Sequence, residues 1–282
     1  MSPDPQYRAD LFRGTAPYYD RYRPPYPAEL WADLRRRLPV TGSGRLLDLA
    51  CGTGQIAFPL AAYFTEVVAV DQEPDSVEYG RTKAATAGVD NITWVTGSAE
   101  TVEPDGPFEL IAVGNAFHRL KRSAVAARMM SWLRPGGGVA LVWGGGPWIG
   151  PLPWQKAMGE VCADWMARAD ATDRVPAGWE RAMDEDPHDE VLARAGFEYL
   201  GRFDFEREDA WTVETLVGFT YSTSFLNRQA LGDKARDFEA DFARRLGPYA
   251  DGGTFRNRAV YIYELARSPI DRSPTIAAHV GA

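Results

Sequence analysis

Asp48, Gly52 and Gly54 carry the clearest chemical signal in this 282-residue chain. They stand in Leu46-Leu47-Asp48-Leu49-Ala50-Cys51-Gly52-Thr53-Gly54, an apolar run holding one acid and closed by two glycines, with a helical pattern from Gln55 to Tyr63 behind it. That order predicts a buried strand, a tight loop and a helix N-terminus. Glycine lets such a loop turn sharply and lets a ligand approach with no Cβ in the way. Gly52-Thr53-Gly54-Gln55-Ile56-Ala57 also fits the G-x-G-x-x-G/A fingerprint that seats a dinucleotide pyrophosphate. Asp48 separates the two uses, because a fixed carboxylate beside that site repels a pyrophosphate and suits a ligand with a cationic end. Asp71 closes a second apolar run, Glu66–Asp71, 19 residues after Gly52. A carboxylate at such a strand tip accepts both hydroxyls of a ribose, in NAD as in other adenosine ligands. As a purely structural group, Asp71 fits equally as a cap on the helix begun at Pro74.

Asp48-x-x-x-Gly52-x-Gly54 resembles the first motif, (D/E)-x-x-x-G-x-G, of the class I S-adenosylmethionine-dependent methyltransferases. Later segments extend the likeness to the small-molecule branch that includes the ubiquinone-biosynthesis and trans-aconitate methyltransferases. Ile92–Thr96 runs into Gly97-Ser98-Ala99-Glu100, similar to the family's G-D-A-E turn, with Ser98 in place of the usual acid. Phe108–Val113 leads into Asn115-Ala116-Phe117-His118-Arg119, similar to A-F-H-W, with Arg119 where the family carries tryptophan. Leu133-Arg134-Pro135-Gly136-Gly137 before the apolar Val139–Trp143 matches the family's Leu-(Arg/Lys)-Pro-Gly-Gly turn; proline stops the preceding helix, Ala124–Leu133, and glycine supplies the positive-φ return. The resemblance implies S-adenosylmethionine as cofactor and S-adenosylhomocysteine as product. It implies cofactor contacts from Asp48, Ala50, Gly52, Gly54, Asp71, Gln72, Ser98, Ala99, Glu100 and Asn115, with Tyr22 and Arg23 at the methionine end. His118 and Tyr18 are the implied catalytic residues, and Phe117 faces the acceptor beside His118.

Composition bounds the alternatives. A chain with 45% hydrophobic residues can bury one large core with an inserted cap. No run approaches the roughly 20 apolar residues of a membrane span, and Met1-Ser2-Pro3-Asp4 opens no signal-peptide pattern; a cytoplasmic protein without a membrane partner is expected. Cys51 and Cys162 form no C-x-x-C pair, and no H-E-x-x-H or similar cluster predicts a metal. A net charge of −8 argues against a nucleic-acid substrate, which needs a cationic excess to neutralise phosphates. Arg35-Arg36-Arg37 is the one dense basic cluster and is read as a solvated helix face.

The elements around these motifs divide as follows: a lid segment over 1–30, a core over 31–144, helical caps over 145–184 and 206–256, the closing part of the core sheet over 185–205 and 257–267, and a tail over 268–282 whose last dozen residues are expected to be disordered. In the lid, Tyr18-Tyr19-Asp20-Arg21-Tyr22-Arg23-Pro24-Pro25-Tyr26-Pro27 is expected to run extended, with its rings and Arg23 closing on the cofactor. The first cap holds four of the nine tryptophans, Trp148, Trp154, Trp165 and Trp179. Trp148 and Trp154 are expected against the acceptor, although such rings serve equally well as the cap's own core. Asp189–Ala195 and Gly232–Leu246 have helical period, and Thr212 suits an N-cap. Tyr221–Phe225 is a cluster of hydroxyls and rings at a loop, with Tyr221 and Ser224 as further acceptor contacts. Strands at Gly196–Asp204 and Ala259–Ala266 match the family's ending. The expected fold is therefore α/β: a Rossmann-like class I methyltransferase with a seven-stranded mixed sheet, order 3-2-1-4-5-7-6, and helical cap insertions.

The expected reaction is in-line methyl transfer to nitrogen or oxygen of a small organic acceptor, as a natural-product tailoring step, by a monomer or homodimer. Three rivals differ in kind. An RNA or protein methyltransferase needs a cationic groove or an uncapped site. An NAD-dependent dehydrogenase continues a parallel sheet. A cofactor-binding regulator lacks a closed acceptor cavity.

Overall fold

The computed structural model describes residues 11–38, 40–175 and 179–270. The first ten residues of the lid segment, and 271–282 of the expected tail, lie outside the described residues.

The lid segment is helical where an extended path was expected. α1 (Ala16–Tyr22) carries Pro17 in its first turn, where the missing N–H costs nothing, and ends at Arg23, whose ψ of 123° starts the extended proline stretch. α2 (Ala28–Arg37) buries Leu30, Trp31 and Leu34 on the sheet. Its Asp33 bonds Arg36, Arg37 and the Tyr263 hydroxyl, while Arg35 lies over the Tyr63 ring. The triple arginine is thus tied down along the helix.

β1 (Arg45–Leu49) is followed by α3 (Ala57–Leu60) and a 3₁₀ turn, Ala61–Tyr63. The helix is shorter than the Gln55–Tyr63 pattern, and Pro59 explains why: lacking an N–H, it fits only a first helical turn, so the chain cannot wind up earlier. β2 (Glu66–Asp71), α4 (Pro74–Ala87), β3 (Ile92–Thr96), β4 (Phe108–Gly114), α5 (Arg122–Trp132) and β5 (Leu133–Gly144) complete the parallel part. The Arg134–Gly138 stretch, expected as a turn, is extended and belongs to β5; the irregularity is absorbed by Gly136 at φ +72° and a register shift opposite, between Phe108 and Leu110.

α6 (Pro153–Arg168), α7 (Trp179–Glu185) and α8 (His188–Arg194) lead to β6 (Glu198–Trp211). Then α9 (Val213–Tyr221), α10 (Arg228–Leu231) and α11 (Ala235–Leu246) precede β7 (Phe255–Arg267). Thr212 caps α9, accepting the Thr215 N–H at 3.2 Å. The seven strands are ordered β3-β2-β1-β4-β5-β7-β6, with β7 antiparallel to both neighbours.

Alternation along the strands splits the core into two layers. Leu46, Val67, Ala69, Leu110 and Ala112 face α2, α3 and α4, while Leu47, Leu49, Val70, Ile111 and Val113 face α5 and α8. The β6–β7 ribbon is longer than its two predicted strands. It stays paired from Glu198↔Arg267 to Trp211↔Phe255, well past the β5 register, which ends at Gly144↔Tyr261. Trp211 and Phe255 at its far end join Trp165, Leu216, Phe238 and Phe242 in a third apolar cluster. The cap is therefore mounted on the ribbon and has its own core, and the expected boundary at 206 falls inside β6.

Candidate active site

The two motif acids shape the glycine loop. Asp48, 1% exposed, accepts the Ala57 N–H at 2.9 Å through Oδ2 and so satisfies a donor at the start of α3. Asp71 accepts the Gly52 N–H at 2.8 Å and the Glu73 N–H at 2.9 Å. Burial pushes the Asp48 carboxyl up to about 7, held back by the Ala57 bond and raised further by Asp71. Burial raises Asp71 too, against its backbone donors.

The two glycines serve different ends. Gly52 (φ +55°) faces open space, where a Cβ would meet nothing nearer than the Tyr19 ring at 4.0 Å. At Gly54 (φ +89°) a Cβ would collide with Trp94 at 2.7 Å and Phe58 at 3.0 Å. Gly52 therefore keeps ligand space clear, while Gly54 allows close packing beneath the loop. Ala50 (φ 57°) and Asn115 (φ 50°), at the ends of β1 and β4, are also left-handed, a conformation that costs a non-glycine residue about 1–2 kcal/mol. Both lie where the strand order reverses, the usual ligand crevice of an open α/β sheet.

A cavity of about 470 Å³ opens there. Of the residues expected at the cofactor, Ala50, Gly52, Asp71, Gln72, Ala99, Glu100, Asn115 and Arg23 line it; of those expected at the acceptor, His118, Trp148 and Ser224 do. Arg23 stacks over the Tyr19 and Phe219 rings and donates to the Ser222 hydroxyl at 2.8 Å, tying lid to cap. Asn115 donates to the Tyr26 hydroxyl at 2.8 Å. His118 is held neutral: burial first, then the positive charges of Arg119 and Arg122, push it down to about 3.

Asp48 stands behind the loop. It borders a small side pocket with Tyr19, Tyr26, Ala50 and Gly114, and its Oδ1 is buried with no partner among the described residues. Several other predicted contacts lie elsewhere. The Ser98 hydroxyl turns away to donate to Glu100, whose carboxylate also accepts the Lys121 N–H at 3.2 Å; Glu100 is the acid presented to the cavity. Tyr18 packs edge-on against Tyr221 at 5.3 Å, and Tyr22 lies on Gly218, both on the cap-facing side of α1. Phe117 is buried edge-on against His188, in the core below the cavity. Trp154 and Tyr221 belong to the cap core, with Trp154 Nε1 on the Arg256 carbonyl at 3.2 Å and the Tyr221 hydroxyl on Glu239 at 2.7 Å. Trp165 likewise donates to Asp241 at 3.0 Å. The Trp179 side chain lies outside the described residues.

In place of Tyr18 and Tyr22, α1 presents Tyr19 to the cavity. The missed signal is the helical period: Thr15, Tyr19 and Arg23 recur every four residues on one face, with Tyr18 and Tyr22 on another. Gly159, Cys162 and Met166 of α6 also line the cavity at helical spacing. Arg119, at the position where the family carries tryptophan, borders it and donates to the Ser224 hydroxyl at 2.8 Å.

Comparisons with known proteins agree with this geometry. Residues 46–137 match the model of a methyltransferase domain family. The chain is 36% identical over 97 residues to the ubiquinone/menaquinone biosynthesis C-methyltransferase UbiE of Zymomonas mobilis, covering 33% of this chain and 40% of that protein. It is 31% identical over 144 residues to the uncharacterized methyltransferase Rv3342 of Mycobacterium tuberculosis, covering 51% and 55%. The alignments thus span about half or less of these relatives. In fold, a putative type II methyltransferase from Anaeromyxobacter dehalogenans superposes with a TM-score of 0.61 at 22% identity, covering 88% of this chain and 98% of that one. Sheet order, the acid–glycine loop at the switch point and the matched domain agree: the chain has the fold of the class I S-adenosylmethionine-dependent methyltransferases, and its residues 46–137 match a methyltransferase domain.

Proposed function

We propose that the protein transfers the methyl group of S-adenosylmethionine to nitrogen or oxygen of a small organic acceptor, as a natural-product tailoring step in the cytoplasm. One observation carries this reading: a single cavity runs from the Gly52–Asp71 crevice to His118 and the cap residues Trp148 and Ser224. A cofactor site and an acceptor site thus share one enclosure, and the cap over it supports a small acceptor over a macromolecule.

The residues present fit the cofactor. Asp48 holds an orphaned buried carboxylate oxygen in a side pocket that shares Tyr19, Ala50 and Gly114 with the cavity, where it would face a cationic methionine end, and Gly52 leaves cavity space open. Asp71 would take the ribose hydroxyls, with Ala99 and Glu100 at the adenine edge. Bound there, the cofactor supplies an electrophilic methyl group together with its own leaving group. The chain's part is alignment and exclusion of water, which supplies roughly 7–11 kcal/mol when the bound pose is near-attack. Tyr19, Arg23 and Trp148 close the cavity walls. His118 accepts a hydrogen bond as neutral imidazole. Its low basicity makes it a poor proton sink and a better orienting group.

Two measurements test this. Incubation with methyl-labelled cofactor and a panel of small amines, phenols and carboxylates is expected to label at least one acceptor; labelling of tRNA or protein alone would contradict the reading. His118→Ala is expected to keep S-adenosylhomocysteine affinity and lose about tenfold or more in turnover, the lower range for a positioned group. Because His118 stays neutral above about pH 4, that loss should be the same from pH 6 to pH 9. A loss that vanishes on one side of pH 6.5 would restore a titrating base.

A further inference from the structure

The cavity wall carries three acids, Asp71 at the tip of β2, Glu73 after it and Glu100 after β3. It also carries two arginines, Arg23 after α1 and Arg119 in the 3₁₀ turn Phe117–Arg119 after β4, next to the neutral His118. Arg119 Nη2 donates to the Ser224 hydroxyl at 2.8 Å, and its guanidinium lies 5.2 Å from the Phe12 ring centroid. Behind the same loop stands Arg174, 7% exposed, with its Nε on the Ser224 carbonyl at 2.6 Å and its Nη2 on the Leu11 carbonyl at 3.0 Å. Two guanidinium groups therefore converge on Ser224. Around them Leu120, Trp148, Met166, Val175 and Phe225 make the wall apolar.

An arginine never gives up its charge in a protein. In an apolar enclosure it attracts an anion strongly and opposes a second cation. We infer that the acceptor is an acidic oxygen compound, a phenol, enol or carboxylic acid on a flat apolar frame, bound as its anion with the charge toward Arg119 and Ser224. This deepens the methyltransferase reading and rests on it. It selects oxygen over an aliphatic amine, because an alkylamine meets this wall as an ammonium ion, repelled and without a nucleophilic lone pair.

The chemistry then closes without a base. A neighbouring guanidinium lowers the pKa of a bound acid by about 1–3, so the acceptor arrives ionised. Its oxygen donates a lone pair to form the new O–CH₃ bond. The S–CH₃ bond breaks with its electron pair staying on sulfur, and the oxyanion and the sulfonium both become neutral. No proton is left to remove, consistent with a His118 that cannot hold one.

The test uses 4-nitrophenol, whose phenolate band reports ionisation, with the full chain saturated with S-adenosylhomocysteine. At one pH unit below the solution pKa of the free probe, binding is expected to increase the phenolate band. Benzoate should compete, and 4-nitrobenzylamine should not. Arg119→Gln should weaken probe binding roughly tenfold or more, as for a hydrogen bond to a charged group, and abolish the spectral change, while Arg119→Lys retains both in part. Unchanged S-adenosylhomocysteine affinity in each variant shows that the fold and cofactor site survive. The inference is overturned if neither 4-nitrophenol nor benzoate binds, if binding leaves the band unchanged, if Arg119→Gln behaves like the parent, or if the amine is the better ligand. Loss of S-adenosylhomocysteine binding by the parent chain would instead sink the methyltransferase reading beneath it.

Discussion

Gly52→Val is expected to fold and to lose S-adenosylhomocysteine binding by at least about 100-fold, whereas Gly54→Val is expected to lose about 2–5 kcal/mol of stability. The difference lies in what a Cβ meets. At Gly52 it projects into the cavity beside Tyr19, so the substitution costs the chain mainly the left-handed backbone penalty, about 1–2 kcal/mol. The isopropyl group then occupies the space a ligand needs. At Gly54 the same atom overlaps Trp94 and Phe58, which pack against each other beneath the loop at 5.9 Å between centroids. Overpacking of a close-packed core typically costs 1–3 kcal/mol, added here to the backbone penalty. Thermal unfolding and calorimetric titration of the two variants separate the effects. A Gly52→Val protein that binds the ligand normally would move the cofactor site away from this loop.

Asp48→Asn is expected to trade cofactor affinity for a flatter stability curve. The Asp48 carboxyl is raised by burial to about 7 in the folded chain, from 3.8 when exposed. Its contribution to stability is therefore fully present below about pH 3.8 and is lost as pH rises through 7, by up to ~4 kcal/mol. Asparagine keeps an oxygen for the Ala57 N–H and has no such penalty. The stability difference, parent minus variant, should fall steadily between pH 4 and pH 7 in the ligand-free proteins. A cationic ligand reverses the balance in the parent, because it favours the ionised carboxylate. Cofactor affinity should consequently rise severalfold from pH 5 to pH 7.5, with proton release visible as buffer-dependent binding heat, and both trends should disappear in Asp48→Asn. Equal affinity of parent and variant at pH 7.5 would show that Asp48 only caps α3.

These expectations also mark what was legible in the chain. The parallel strands announce themselves as short apolar runs closed by an acid or a glycine, whereas their order was implied by the family resemblance, and the sheet has it. The glycine loop was legible in outline, but Pro59 shortened the helix behind it. Side-chain placement was harder. Tyr18 and Tyr19 are adjacent and chemically alike; only the phase of α1, hidden by a proline-rich stretch read as extended, sends one to the cap and the other to the cavity. Trp148 and Trp154 pose the same difficulty, since apolar cavities and apolar cores ask for the same ring. What separates them is the partner of Trp154 Nε1, a carbonyl 102 residues away, which no local pattern displays. Ser98 and Glu100 were both expected at the cofactor, yet the Ser98 hydroxyl donates to Glu100 and only Glu100 lines the cavity. Arg119, noted in the sequence as a departure from the family pattern, became the residue that says most about the acceptor.

Calorimetric titration of the purified chain with S-adenosylhomocysteine, and in parallel with NAD, bears on all of this at once. The expected result is one site per chain with micromolar-range affinity for S-adenosylhomocysteine and no heat with NAD. Binding of NAD without binding of S-adenosylhomocysteine would contradict the cofactor, the roles given to Asp48 and Gly52, and the reaction built on them.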